Sequence, residues 1–168
     1  MVLWLIGMSD TGKTVVGKQV YKTLKATRKN VVFLDGDVFR NIMGDEMGHN
    51  LEDRKKNADR ICRMCKFLND EKIHVICAIL SIFPESQQWN RENLQDYYEV
   101  YLKVSLDTLI KRDSKGLYGK ALKGEIENVV GIDIKFTPPP SPDQVVENEG
   151  DVSIEQIAEK ILEQLPIL

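Results

Sequence analysis

Cysteine is scarce in this 168-residue chain, at three, an odd number that builds no disulfide framework and suits a reducing compartment. Histidine is scarcer still, at two, and neither a second Cys pair nor a His pair completes a zinc pattern around Cys62 and Cys65. Those thiols read as core. No apolar run approaches the length needed to cross a bilayer, and the N-terminal run 2–6 lacks the basic lead and small-residue cleavage site of a signal peptide. The chain reads as cytoplasmic, with no membrane partner. Positive charge is not in excess either: 26 acidic against 23 basic side chains give a net charge of −3, so nucleic acid is not expected as a partner. Any polyanion it binds is small. Repeats, low-complexity tracts and linkers are also missing, which leaves one domain over residues 1–168.

What is present is an alternation. Short, β-branched apolar runs at 2–6, 31–34, 74–80 and 100–104 predict strands, and helical spacing at 13–24, 51–68 and 106–112 predicts helices between them. That order gives an α/β fold, a doubly wound parallel sheet with helices on both faces. Asn50 stands ahead of Glu52 and Asp53, a helix start with carboxylates in its first turn. Residues 153–165 form an amphipathic closing helix. Residues 114–142, rich in Gly, Lys and Pro, read as a mobile loop region.

Directly after the first strand comes GMSDTGKT, residues 7–14, a P-loop pattern in its strand-to-helix setting. Gly7 and Gly12 let successive N–H groups of Ser9, Asp10 and Thr11 turn toward a phosphate. Lys13 reaches the β/γ oxygens of ATP, and Thr14 offers a hydroxyl to Mg²⁺. The second strand runs into Asp35-Gly36-Asp37, two carboxylates at the end of the sheet where parallel folds bind ligands. One carboxylate suits Mg²⁺ and the other a substrate hydroxyl; alternatively, the triplet is a turn with a helix cap.

These residues, together with LDGDVFR, GHNLEDRKKN, RDSKGLYGKALKGEI and GIDIKFTPPPSPD, resemble the adenylylsulfate kinases almost end to end. The resemblance implies a three-layer P-loop kinase fold, a homodimer, and transfer from MgATP to the ribose 3′-hydroxyl of a small nucleotide. Lys13, Asp35, Asp37 and Ser81 would be catalytic, with Thr14 and Asp35 at the metal. Gly7, Ser9, Asp10, Thr11, Gly12, Lys13, Thr14 and Arg112 would bind ATP. Asp37, Arg40, Arg54, Asn57 and Lys120 would hold the acceptor, under a lid at about 113–135.

The chain departs from that pattern at the acceptor base. His49 and Val129 stand where the family has the two Phe that sandwich adenine, and the Arg that follows the third strand is absent after Ser81. Stacking on an aromatic is worth about 1–3 kcal/mol per base, so adenine loses its platforms while the ribose and phosphate grips stay. His49 or Asn50 could instead hydrogen-bond a smaller pyrimidine. The expected acceptor is therefore a cytidine diphosphate derivative such as cytidine diphosphoramidate, as in relatives from capsule-decoration pathways. The alternatives are an ordinary adenylylsulfate kinase and an inactive nucleotide-binding module. The lack of Asn-Lys-x-Asp argues against a guanine-nucleotide switch.

Overall fold

The computed structural model describes residues 1–44 and 48–166; residues 45–47 and 167–168 of the expected single domain lie outside them. Five strands are all parallel: β1 (Val2–Ile6), β2 (Val31–Asp35), β3 (His74–Ile79), β4 (Tyr97–Lys103) and β5 (Gln144–Glu147), in the order β2-β3-β1-β4-β5. Seven helices connect or close them: α1 (Lys13–Thr27), α2 (Gly36–Ile42), α3 (Leu51–Asp70), α4 (Pro84–Asn93), α5 (Leu106–Arg112), α6 (Leu117–Leu122) and α7 (Ile154–Leu162).

Every residue of β1 is buried, because a central parallel strand is covered on both faces. Its side chains alternate between two cores. Leu3 and Leu5 join Val16, Val20, Leu24, Ile157 and Ile161 of α1 and α7. Val2, Trp4 and Ile6 point the other way, to Ile61, Cys62 and Cys65 of α3 and to Leu94. Three layers result, with the three cysteines free and buried as expected. Burial pushes the Cys62 thiol up to about 12, which keeps it an inert hydrophobe.

The register fixes where ligands can enter. Ile6 pairs with Ile79 and Tyr101, and Asp35 with Ala78, so the carboxyl ends of the central strands lie at one level. A third apolar cluster sits above that level, where Met8, Val104 and Leu109 meet Tyr118, Val129 and Val130. The segment read as a mobile loop therefore contains α6 and an apolar core of its own. Its anchors are too far apart in sequence to show as a periodic pattern.

Candidate active site

The P-loop fold follows from contacts that only glycine permits. A Cβ on Gly7 would lie 2.5 Å from Thr11 Oγ1 and 3.0 Å from the Leu102 carbonyl, and Gly12 has φ 91°. The loop surrounds Lys13, whose Nζ donates to the Met8 carbonyl at 2.5 Å and to Thr11 Oγ1 at 3.4 Å. Burial pushes the Lys13 ammonium down to about 8, against the pull of Asp37 and Asp35.

Asp35 ends β2 and serves two purposes. One carboxylate oxygen accepts from the Asp37 and Val38 N–H groups at 3.0 and 3.3 Å, capping α2, while the other accepts the Thr14 hydroxyl at 2.6 Å. The turn-and-cap reading and the metal reading of Asp35 thus describe the same side chain. Thr14 and Asp35 present adjacent hard oxygens, the donor chemistry Mg²⁺ prefers. No cluster of three His, Cys, Asp or Glu competes for a metal among the described residues, so phosphate and water would complete its shell.

Asp37 is exposed, and one of its oxygens accepts from Lys115 Nζ at 2.9 Å. Burial works against its charge, but Lys115, Lys13 and Arg40 hold the carboxyl below the usual range. Its other oxygen has no hydrogen bond among the described residues. That oxygen is available to a substrate hydroxyl.

The side where the acceptor is expected is assembled by α3. Asn50 caps it, accepting from Asp53 N at 2.9 Å and donating to Asp53 Oδ2 at 2.8 Å. One turn on, Arg54 donates through Nε to the His49 carbonyl at 2.6 Å and through Nη2 to the Asn128 carbonyl at 2.8 Å. One guanidinium therefore ties together the two segments that would flank a base. Arg40 donates to the Gly48 carbonyl. Its Nε and the Oδ1 of Asn57 are buried without partners among the described residues, polar groups that a ligand would satisfy. His49 has its pKa lowered by burial, then by Arg40 and Arg54, which favours a neutral ring.

A cleft of about 1090 Å³ joins the two halves, lined by Ser9, Asp10, Gly12, Lys13 and Thr14 on one side and by Arg40, His49, Arg54 and Asn57 on the other, with Asp35 and Asp37 between. Other expected residues do not reach it. Gly7 and Thr11 are buried and shape the loop from behind, Thr11 Oγ1 donating to the Met8 carbonyl. Ser81 is buried, and its hydroxyl accepts from Gln87 Nε2 at 3.2 Å. The Asn50 amide is committed to the α3 cap. Lys120 lies on the last turn of α6, away from the cleft lining. Arg112 sits at the rim, donating to the carbonyls of Asp10 and Asn148 at 3.3 and 2.7 Å.

Two contributors escape the sequence reading. Lys115 lies in a Gly- and Lys-rich stretch where no periodicity singles it out. Asn148, whose amide donates to the Thr11 carbonyl at 3.0 Å, follows β5, a strand too short to predict. Val129 is 8% exposed and packs into the third cluster, so a Phe there would have to displace neighbours. The cleft lining has two rings, Phe33 and His49. Phe33 pairs with Tyr21 and packs on Gly17.

Comparison with known proteins gives a consistent set of relatives. The profile described as adenylylsulphate kinase matches residues 1–147. A cytidine diphosphoramidate kinase of Campylobacter jejuni is 40% identical, covering 99% of this chain and 96% of its own. An adenylyl-sulfate kinase of Halothermothrix orenii is 34% identical, covering 98% and 89%. Among solved structures, the Mycobacterium tuberculosis APS kinase in complex with AMPPNP and APS superposes with a TM-score of 0.85 at 29% identity, covering 96% and 95%.

Proposed function

The chain belongs to the adenylylsulphate kinase family and is an ATP-dependent phosphotransferase, and from that premise we propose that it phosphorylates the ribose 3′-hydroxyl of a cytidine diphosphate derivative such as cytidine diphosphoramidate. The observation that carries this reading is the acceptor wall. Arg54 ties His49 to Asn128, while the cleft offers a neutral imidazole and a packed Val129 in place of two aromatic faces. Adenine would find there only the smaller His49 ring to stack on. A smaller pyrimidine needs less platform and can use hydrogen bonds to its edge. The full-length likeness to the Campylobacter jejuni enzyme supports the same acceptor class.

In this reading the P-loop N–H groups and Lys13 bind the ATP phosphates. Thr14 and Asp35 hold Mg²⁺, which when bound neutralises charge on the phosphate oxygens. Asp37 orients the ribose hydroxyl through its free oxygen and accepts the proton as the phosphoryl group leaves ATP. A weakly basic carboxylate suffices, since phosphoryl transfer depends on positioning and charge more than on a strong base. Lys115 keeps Asp37 ionised and adds positive charge beside the reacting centre. Arg40 and Arg54, the residue type that matches anionic oxygens, grip the acceptor's phosphates. Arg54 does so with the donors left after its two carbonyl bonds.

The same reading makes the protein a cytoplasmic homodimer. Three free cysteines support the compartment, and light scattering in solution checks the dimer. The functional test is product mapping: with MgATP and cytidine diphosphoramidate, phosphorus NMR should show a new monoester on the ribose 3′ carbon. Phosphate on another atom, or turnover of adenylyl sulfate alone, overturns it. The second of those outcomes would establish ordinary adenylylsulfate kinase activity.

A further inference from the structure

Asp10 occupies the middle of the phosphate loop with φ 60°, a left-handed conformation that glycine adopts freely and aspartate tolerates at some cost. Asp10 also lines the cleft where a polyphosphate would arrive. The cleft and its rim carry the cations Lys13, Lys18, Arg40, Arg54, Lys115 and Arg112 beside the carboxylates of Asp10, Asp35, Asp37 and Glu127. A fixed negative charge in a phosphate cradle opposes nucleotide binding, so backbone ease and ligand charge both argue for another residue here.

The contacts of Asp10 give it a purpose. One carboxylate oxygen accepts the hydroxyl of Ser114, and its main-chain carbonyl accepts from Arg112. The neighbouring Ser9 carbonyl accepts the Tyr118 hydroxyl at 3.0 Å. Three residues of the segment 112–118 therefore close on two residues of the phosphate loop. Ser114 immediately precedes Lys115, whose ammonium is 2.9 Å from Asp37. The second carboxylate oxygen of Asp10 is buried without a hydrogen-bond partner among the described residues, so the Ser114 contact is the one that holds the side chain among them.

We propose that Asp10 is a positioning residue: its carboxylate clasps the lid through Ser114 and thereby sets Lys115 on Asp37 for phosphoryl transfer. The proposal rests on the kinase reading above for its reaction, but the clasp itself is independent of which acceptor is used. A carboxylate does here what glycine could not, since it supplies a hydrogen-bond acceptor that reaches the lid. The clasp also offsets the unfavourable charge by bringing Lys115 and Arg112 over the phosphates.

The test is amide hydrogen exchange of the lid in the full chain without nucleotide, read at residues 116, 118, 119 and 120, whose N–H groups are bonded in this structure. Asp10→Gly keeps the backbone conformation accessible, and Ser114→Ala removes the donor from the other side. Each should speed lid exchange by at least about fivefold, the loss of one hydrogen bond, and the double variant should be no faster than either single one. Asp10→Asn retains an acceptor for Ser114 and should restore most of the protection. In turnover, Ser114→Ala should lower kcat more than it raises KM for ATP, because it misplaces Lys115.

Lid exchange unchanged in Asp10→Gly, additive effects in the double variant, or an Asn variant as loose as the Gly one would each overturn the clasp. An intact clasp in a protein that rejects cytidine diphosphates would overturn the acceptor assignment and leave this inference standing. Thermal melts of each variant separate lid loosening from a failure to fold.

Discussion

Lys13 shows how one side chain can serve function at the expense of stability. Its ammonium is enclosed by the phosphate loop and held at about 8 by burial, below the value near 10.4 of a free lysine. Because the folded pKa lies below the unfolded one, keeping the proton at neutral pH costs stability, and that cost is relieved as pH rises from about 8 toward the unfolded value. Lys13→Ala should therefore melt at or above the wild-type temperature at pH 7, with the difference shrinking above pH 8, while turnover falls by about a thousandfold or more. Calorimetry and an ADP-release assay check the pair. Binding of an ATP analogue to the wild type should also weaken as pH passes about 8, because the neutral amine no longer attracts phosphate. Affinity that rises across that range would contradict this charge assignment. Asp37→Asn should cut kcat by about a hundredfold or more with little change in ATP affinity; an equal loss in both would mark Asp37 as a metal ligand. At this scale the sequence was informative wherever a residue's task is local. Asp35 could be read as a cap or as a metal ligand, and the structure has it capping α2 and accepting the Thr14 hydroxyl. Ser81 and Asn50 could not be settled in sequence, because each hydroxyl or amide is consumed by a neighbour, Gln87 or Asp53, whose approach only the fold reveals.

Among the elements, α3 links stability to the proposed acceptor site most directly. Asn50 caps it, and Arg54 in its first turns ties the His49 and Asn128 segments together. Asn50→Ala should cost about 1 kcal/mol of stability and raise the acceptor KM with little effect on the KM for ATP. Arg54→Lys keeps the charge but not the planar fork, so the acceptor KM should rise about tenfold while the ATP value stays near wild type. Steady-state kinetics with each substrate varied in turn decides both; equal rises in the two constants would place Arg54 outside the acceptor site. The start of α3 was legible because its cap and acidic first turn are adjacent in sequence. α4 was not legible, because it buries Ser86, Gln87 and Asn90 in place of apolar residues. β5 is four residues long with polar ends. The packing of segment 114–142 was not legible because Gly and Lys dominate locally and Tyr118, Val129 and Val130 converge on Met8 only in three dimensions.

For the whole molecule, alternation of strands and helices and the phosphate loop fixed the class of fold and of reaction, since both depend on short contiguous patterns. In the proposed reading, acceptor choice rests on residues from four separate segments, at 37–40, 49–57, 115 and 128–129, so it could be approached from sequence only through the missing aromatic platforms. The structure adds that these segments form one wall, held by Arg54 and packed through Val129. In the proposed function the ribose and phosphate grips are kept while adenine loses its two Phe platforms. The direct measurement is kcat/KM of the purified protein with MgATP for cytidine diphosphoramidate and for adenylyl sulfate under identical conditions. The cytidine derivative should be favoured by at least about a hundredfold, the deficit expected from losing two stacking faces, and equal or greater efficiency with adenylyl sulfate would contradict the account.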